Sequence, residues 1–519
     1  MKSNKRTFVN LICSLMVLAT NIIVGFWLSP FIVENIGVEA NGFVTLAGNF
    51  VTYAGLIVTA LNSMAARYIA IEYVNKDFKK ANIYYNSVFW GNLIIVAVLL
   101  GPAIFFIARL DNIIKVSSEI ATDVKILFAF IFFNFFLSTG LPNWDCGTYV
   151  SNRLDRDYIP NMVTSVFRCV FLFIIFTVLT PKVYYVGLCA TLVTVTLLFV
   201  KCHNTHTLTP ELRVLMAKDK IVCSKTAIIE LVGSGIWNTI SNIGNMLLSG
   251  LDLIICNVMI GPVEMGILAI AKTIPSYMQQ LSQSIRNAFA PELTINYAKG
   301  DMEAVFKDLN RAMKITSLIM TIPIAIVIAV GDSFFSLWVP SQDAKLLQIL
   351  SILSILGYMF TSGTQILYNV FSTANRVKEN SIAMITSGVI SVFITYLFVK
   401  YTNYGIFAVA GVSTAVNLIR NMVFTLPATA SYLGYKKNRF FPQVGMTCFC
   451  SIILIVCFYG MSMLIDASTW LELAFECCLM SAVGLCVNSI VILNKDERAY
   501  LIDKLLSKVK RNTRHTRKR

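Results

Sequence analysis

Apolar runs of about twenty residues follow one another along almost the whole chain, and they constrain its fold more than any other feature. A helix of this length crosses the hydrocarbon core of a bilayer. Inside lipid every backbone polar group needs an internal hydrogen bond, which helices supply. The composition agrees, since 56% of the residues are hydrophobic and 14% are charged, against about a quarter charged in a soluble domain. We therefore predict an all-α polytopic membrane protein.

Fourteen apolar segments can be placed, which predicts about 14 transmembrane helices. Very short connections around Lys182, Tyr401–Tyr404 and Asp466–Trp470 predict tight helical hairpins. The approximate ranges are 8–31, 42–66, 84–108, 126–144, 160–180, 183–201, 227–260, 266–290, 312–331, 346–370, 380–400, 404–426, 443–465 and 471–493.

The distribution of lysine and arginine predicts the orientation of these spans. Loops after the even-numbered spans are basic, whereas the loops after spans 1, 7 and 13 hold no lysine or arginine. Cytoplasmic loops carry the positive excess, so both termini are predicted in the cytoplasm of a multi-pass protein of the inner or plasma membrane. The net charge of +15 belongs to these loops and to the tail. We expect no nucleic-acid partner, because no soluble domain presents a basic face.

An internal repeat relates the two halves of the chain. A shift of 224 residues superposes Gly42 on Gly266, Tyr53 on Tyr277 and Asp77 on Asp301. The shift covers an even number of spans, so we predict two parallel bundles around a central cavity. The predicted domains are an N-terminal bundle (1–225), a C-terminal bundle (226–442), two additional spans (443–493) and a basic cytoplasmic tail (494–519).

Polar side chains recur at helical spacing on spans 1, 2, 7 and 8. Charged groups at membrane depth are costly unless they face water, a partner or a bundle interior. We therefore predict that these faces line the cavity, although serine and threonine also knit helices together without contacting a substrate. The predicted substrate-binding residues are Arg67, Asn49, Asn242, Asn245, Lys272, Gln279, Gln280, Gln283 and Arg286.

Three ionisable residues are candidates for gating or ion coupling. Asp252 and Lys272 are each roughly 10 Å from the outer turn between spans 7 and 8, at 1.5 Å per residue, and can form an ion pair there. Glu230 is a second coupling candidate, with a helix-start carboxylate as the alternative.

Arg67 and Arg286 are predicted near the cytoplasmic mouth, where snorkelling to lipid phosphates is the competing interpretation. Arg168 and Arg420, within spans 5 and 12, are expected to snorkel, with a position lining the cavity as the alternative.

The stretch Gly235–Gln280, "GIWNTISNIGNMLLSGLDLIICNVMIGPVEMGILAIAKTIPSYMQQ", followed by "AFAPELTINYAKGD", resembles the polysaccharide (lipid-linked oligosaccharide) flippase family of the multidrug/oligosaccharidyl-lipid/polysaccharide exporter superfamily. The first two spans are similar to the same family. The resemblance implies a bacterial inner-membrane flippase that moves undecaprenyl-pyrophosphate-linked oligosaccharide outward by alternating access, without hydrolysing ATP. It assigns the cation-lined lumen to Lys272, Arg286 and Arg67, with Asp252 as the acidic position of span 7.

The substrate would serve assembly of O-antigen in lipopolysaccharide, of capsule or of exopolysaccharide. A multidrug or cation antiporter of the same fold is the first alternative, although cationic drugs favour an acidic cavity. A membrane glycan polymerase or ligase is the second. We predict no enzymatic activity, metal or cofactor. Expected partners are the lipid-linked oligosaccharide, anionic lipids bound by the tail, and polymerase or other envelope-assembly proteins.

Overall fold

The computed structural model describes residues 2–151, 153–214, 223–464 and 467–493. The predicted basic tail, together with Lys218 and Lys220 of the middle loop, lies outside these ranges. Twelve helices fill the described chain as far as Ala271: α1 Lys2–Asn35, α2 Val38–Asn62, α3 Ala65–Val74, α4 Phe78–Ala108, α5 Leu110–Ile113, α6 Ala121–Gly140, α7 Asp145–Val150, α8 Asp155–Val178, α9 Tyr184–Leu208, α10 Lys225–Asn245, α11 Asp252–Met259 and α12 Pro262–Ala271.

Ten more helices follow: α13 Thr273–Ala298, α14 Met302–Trp338, α15 Ala344–Ile355, α16 Tyr358–Thr361, α17 Tyr368–Thr373, α18 Val377–Tyr401, α19 Gly405–Arg420, α20 Leu426–Tyr432, α21 Phe441–Ser462 and α22 Trp470–Ile492. Three irregular turns interrupt the spans. Met246–Gly250 and Asn421–Thr425 are π-helical, and Gly363–Leu367 is a 3₁₀ turn. The described residues contain no β-strand, which confirms the predicted all-α fold class.

A helix occupies each of the fourteen predicted segments. Eleven helices of the described chain are long and apolar enough to cross a membrane, and a bent pair, Gly235–Gly250 with Asp252–Met259, makes twelve. The eighth segment fails this test because it is divided into a short apolar helix, α12, and a helix rich in polar residues, α13. The first segment is also outside the eleven.

Two pairs of helices begin at positions that the internal repeat relates. The 224-residue shift relates the first residue of α2 to that of α12 and the first residue of α4 to that of α14. The last pair also shares its cap. Asp77 accepts a hydrogen bond from the Lys80 amide at 3.0 Å, and Asp301 accepts one from the Ala304 amide at 2.9 Å. Aspartate is a favoured N-cap because its carboxylate satisfies an amide that the first turn leaves free.

The described chain forms two compact units, one containing the residues up to Ile270 with Ser381–Val409, the other Ala271–Asn380 with the residues from Ala410 onward. In the first unit, α2, α3, α4, α7 and α10 enclose an apolar core around Tyr85 and Leu231. The repeat-equivalent glycines Gly42 and Gly266 lie against each other, since a β-carbon on Gly42 would be 2.8 Å from the Gly266 Cα. The predicted domain boundaries stay a prediction.

In the second unit the 37-residue helix α14 is the central element. Its buried residues pack against α21 and α22 around Phe458 and Met480. A second apolar cluster joins α14 to α13, α17, α20 and α21 around Leu309 and Leu426. Polar contacts add to this packing: the Asn488 side chain donates to the Leu318 carbonyl at 3.0 Å and to the Thr321 hydroxyl at 2.8 Å.

Candidate functional site

Span 7 bends at the turn that precedes Asp252. The π-helical turn Met246–Gly250 separates α10 from α11, and the two parts of the span differ in direction by 43°. Such a turn leaves carbonyls without helical partners. In the first unit the Tyr53 hydroxyl donates to the Gly250 carbonyl, and the Ser391 hydroxyl donates to the Leu248 carbonyl at 3.2 Å. The bend is therefore held by side chains from two other helices.

This bend places Asp252 near Tyr53, and Asn49 lies one turn before Tyr53 on α2. Both predicted residues act on the Tyr53 hydroxyl electrostatically. Asp252 is 4% exposed and is the first residue of α11, where a carboxylate is favoured by the helix dipole. In the sequence Tyr53 stands out only as a repeat position. In the structure its hydroxyl donates to the Gly250 carbonyl and so links α2 to the bend beside Asp252.

The remaining predicted residues of the first unit lie apart from this group or on its margin. Asn242 and Arg67 are exposed, and Asn245 is half-buried. Glu230 is exposed and accepts a hydrogen bond from the Tyr84 hydroxyl at 2.6 Å. Because α10 starts at Lys225, Glu230 lies beyond the first helical turn, so the helix-start interpretation of this carboxylate is wrong.

Span 8 is not one continuous helix. Lys272 is the residue between α12 and α13, and it is half-buried. Pro275 has no amide proton, so it cannot make the helical bond to the Ala271 carbonyl. In the second unit the Ser351 hydroxyl donates to that carbonyl instead, at 2.6 Å. The proline thus creates a buried acceptor that a neighbouring helix satisfies.

Arg286 is a predicted cation that lies beside an aromatic ring of another helix. It is half-buried on α13, and its guanidinium carbon is 5.9 Å from the centre of the Tyr368 ring. Its backbone carbonyl accepts from the Asn369 side chain at 2.9 Å. Of the three glutamines on the same helix, Gln279 is half-buried and Gln280 and Gln283 are exposed.

Arg420 contacts the same tyrosine ring as Arg286, and nothing in the sequence indicated this contact. Its guanidinium carbon is 5.4 Å from the Tyr368 ring centre, and its side chain is only 6% exposed. The sequence predicts that Arg420, within span 12, snorkels to the lipid surface, with a position lining the cavity as the alternative. The snorkelling prediction is wrong because α17, fifty residues earlier, brings a ring and a hydroxyl over it. The position of Arg420 within its span does not indicate that Tyr368 covers it.

A set of hydrogen bonds fixes the orientation of Arg420. One terminal nitrogen, Nη2, donates to the Tyr368 hydroxyl and to Asn417 Oδ1, the latter at 2.7 Å. The Tyr368 hydroxyl donates in turn to Asn421 Oδ1 at 2.7 Å. The Asn421 side chain donates to the Asn417 carbonyl at 2.9 Å. We call these residues with Arg286 the Tyr368 cluster: Arg286, Tyr368, Asn417, Arg420 and Asn421.

The Tyr368 cluster carries two positive charges that no described carboxylate pairs with. Since both guanidinium carbons lie within 6 Å of one ring centre, they are at most about 11 Å apart. Two unit charges at that separation repel by at least ~1.5 kcal/mol at an effective dielectric constant of about 20. An anion that enters the cluster removes this repulsion, so the cluster is suited to bind a multiply charged anion.

The predicted residues thus divide between the two units. Asn49 and Asp252 meet in the first, and Arg286 joins the Tyr368 cluster in the second. The Asp252–Lys272 ion pair and the central cavity stay predictions. Within the described ranges no group of three or more histidine, cysteine, aspartate or glutamate side chains is placed to hold a metal ion.

Comparison with known proteins supports the fold. No family model matches the chain. The chain is 24% identical over 436 residues to the uncharacterized membrane protein EpsK of Bacillus subtilis (strain 168), covering 83% of this chain and 85% of that protein.

Solved structures cover most of the chain at low identity. The lipid II flippase MurJ, in an inward closed conformation, matches with a TM-score of 0.64 at 14% identity over 92% of this chain and 98% of its own. An inward-facing multidrug resistance MATE family transporter of the MOP superfamily matches with a TM-score of 0.57 at 15% identity. The match covers 82% of this chain and 98% of the transporter. A third match is a MOP superfamily transporter from Pyrococcus furiosus, which is described as having a binding pocket of reverse polarity. Its TM-score is 0.55 at 14% identity, and the match covers 83% of this chain and 96% of that transporter. The chain is thus a multi-pass helical membrane protein with the fold of these transporters.

Proposed function

We propose that the protein is a flippase that moves undecaprenyl-pyrophosphate-linked oligosaccharide across the bacterial inner membrane for cell-surface polysaccharide assembly. The observation that carries this proposal is Arg286, an intramembrane cation, half-buried and without a carboxylate partner among the described residues. Intramembrane cations are retained where they serve a substrate or ion path. The fold shared with the lipid II flippase MurJ supports the assignment.

The chemistry of such a substrate matches the polar residues of span 8. A diphosphate needs positive charge, which arginine supplies in a planar fork of donors. Sugar hydroxyls both donate and accept, as do the amides of Gln279, Gln280 and Gln283. The polyprenyl tail can remain in lipid while the head group crosses. Binding the head group in alternating access would then require no ATP and no covalent step.

A multidrug or cation antiporter of the same fold is the second candidate. It is favoured by Asp252, a carboxylate that is 4% exposed beside Tyr53 and Asn49. A buried carboxylate suits a cation, whether a drug or a coupling ion. In the flippase proposal the same group, paired with Lys272, acts in gating or ion coupling. The two candidates therefore differ in the charge of the transported head group.

The basic inner loops support an orientation with both termini in the cytoplasm. The tail would then lie against anionic lipids of the inner leaflet. Polysaccharide polymerase and other envelope-assembly proteins, which receive the product on the outer side, are the proposed partners.

Deletion of the gene in its native host tests the function. Mass spectrometry of undecaprenyl-linked lipids should show a defined oligosaccharide repeat unit that accumulates in the deletion strain. The wild-type protein and Arg376→Lys should clear it, whereas Arg286→Gln, expressed at the same membrane level, should not. Arg376 is a matched control because it also lies over a tyrosine ring, Tyr432, yet is paired with Glu379 at 3.0 Å.

The result against the proposal would be a deletion strain with normal lipid-linked intermediates. If that strain also retained cationic dyes that the wild type expels, the antiporter would replace the flippase.

A further inference from the structure

We propose that Arg420 and Arg286, which both lie near the Tyr368 ring, form the subsite that holds the diphosphate of the lipid-linked substrate. This inference rests on the proposed function and adds to it a residue, Arg420, that sequence patterns assigned to the lipid surface. It also names the chemical group of the substrate that the second unit recognises.

Arg420 is buried without being satisfied. A guanidinium group has five N–H donors. Two of them, on Nη2, go to the Tyr368 hydroxyl and to Asn417 Oδ1. Both Nε and Nη1, which carry the other three, are buried and have no hydrogen-bond partner. Buried donors are almost always paired in native proteins, and a charged group left without partners is especially costly. The open donors of Arg420 therefore point to a ligand with several acceptor oxygens.

The partners that Arg420 does have hold it in position but leave its charge intact. Tyr368, Asn417 and Asn421 are all neutral, and the Tyr368 hydroxyl is itself committed to Asn421 Oδ1. A purely structural arginine in lipid would gain most from a carboxylate, and none of the described carboxylates pairs with it. The arrangement fixes the direction of the guanidinium group and leaves its positive charge uncompensated.

The backbone around the cluster is irregular on both sides. Arg420 is the last residue of α19 and is followed at once by the π-helical turn Asn421–Thr425. Tyr368 follows the 3₁₀ turn Gly363–Leu367. Departures of this kind are enriched at functional sites, because they place side chains where a regular helix would not. The hydroxyl of Thr425, within the π-helical turn, is also buried without a partner.

Two cations at most about 11 Å apart favour a ligand with two adjacent negative groups. Guanidinium groups bind phosphate oxygens through paired donors, which a single ammonium cannot reproduce. A diphosphate provides two phosphate groups on one short linker. A phospholipid head group offers the same chemistry with one phosphate, so the test must separate these two sources of phosphate.

The test measures lipid binding to the purified full-length protein by native mass spectrometry, with undecaprenyl diphosphate and phosphatidylglycerol as separate probes. Arg420→Lys keeps the charge and removes the fork of donors, so it should weaken undecaprenyl diphosphate binding by about tenfold. Tyr368→Phe keeps the ring and removes the hydroxyl that orients Arg420, and it should also weaken binding. Arg376→Lys should bind as the wild type does. Phosphatidylglycerol binding should be the same in all four proteins.

Wild-type binding in both Arg420→Lys and Tyr368→Phe would overturn the subsite and leave the flippase proposal standing on Arg286. Equal loss of both lipids would identify a general head-group site and overturn the diphosphate assignment. If Arg420→Lys elutes as misfolded protein, Tyr368→Phe decides, because it removes a single oxygen atom. A wild-type protein that binds phosphatidylglycerol and no undecaprenyl diphosphate would overturn the proposed function together with the subsite.

Discussion

Replacing glycine by alanine at two positions of helix α2 should change the stability of the protein in opposite directions, because Gly42 contacts Gly266 and Gly55 faces open space. A β-carbon on Gly42 would lie 2.8 Å from the Gly266 Cα and 3.0 Å from its amide nitrogen. The two Gly266 atoms are backbone, so α2 or α12 would have to shift, whereas Met265 Cε, also at 2.8 Å, is the end of a flexible side chain that can turn away. A β-carbon on Gly55, in the same helix α2, would have nothing within 4 Å. The two substitutions to alanine therefore differ only in the space that the methyl group meets.

The magnitudes follow from two opposing effects. Alanine is favoured over glycine within a helix by about 1 kcal/mol. Inserting a methyl group into a fully packed contact costs about 1–3 kcal/mol, and the upper half of that range applies where backbone must move. Gly42→Ala should therefore lower the free energy of unfolding by about 1–2 kcal/mol, after the propensity gain is subtracted. Gly55→Ala should raise it by up to about 1 kcal/mol.

Thermal unfolding in detergent, followed with a thiol-reactive dye, measures both variants. Cys256, on α11, is fully buried and becomes reactive when the first unit opens. The Tm of Gly42→Ala should fall, and that of Gly55→Ala should stay level or rise. Equal Tm values for the two variants would refute the reasoning, because the close approach of the repeat-equivalent glycines would then be absent.

Two further substitutions test polar contacts. Ser351→Ala should lower the free energy of unfolding by about 1–3 kcal/mol, because the Ala271 carbonyl loses its donor; adding Pro275→Ala should recover most of this loss in a double-mutant cycle, and additive losses would contradict the account. Lys201→Met removes contacts to Asp145 at 2.7 Å and to Asp157 at 3.8 Å, whose side chains are 60% and 21% exposed, and should cost about 1 kcal/mol after solvent screening. Lys80→Met, at 62% exposure, is its control and should cost less than about 0.5 kcal/mol.

Much of the fold could be predicted from the sequence, because bilayer thickness dictates the length of an apolar run. The repeat was also readable, since Gly42/Gly266 and Asp77/Asp301 occupy positions where local geometry is demanding. The breaks within spans were harder to predict. The π-helical turn Met246–Gly250 ends in a glycine, and Pro427 follows the turn Asn421–Thr425 by two residues. Neither residue type tells a π-helical turn from an ordinary kink. The two turns persist because side chains from other helices take up the carbonyls or order the turn.

The candidate site was predicted in part for the same reason. Arg286 could be proposed from its own helix, since an intramembrane cation is conspicuous in a sequence. Arg420 was equally visible but was assigned to the lipid surface. Its burial depends on Tyr368, fifty residues away in the chain, and no helical periodicity relates the two. Likewise Tyr53 became part of the Asp252 group only through a carbonyl that the bend in span 7 exposes.

In the proposed mechanism Arg286 and Arg420, which no described carboxylate pairs with, recognise a negatively charged lipid-linked glycan within the membrane. Purified protein in liposomes tests this mechanism most directly, with two lipids that carry the same oligosaccharide. One has a diphosphate linkage to its undecaprenyl chain, and the other has a neutral linkage. We expect the protein to move the diphosphate lipid between leaflets and to leave the neutral lipid in place, and we expect Arg286→Gln to abolish this difference. Equal movement of both lipids, or of neither, would contradict the proposed mechanism.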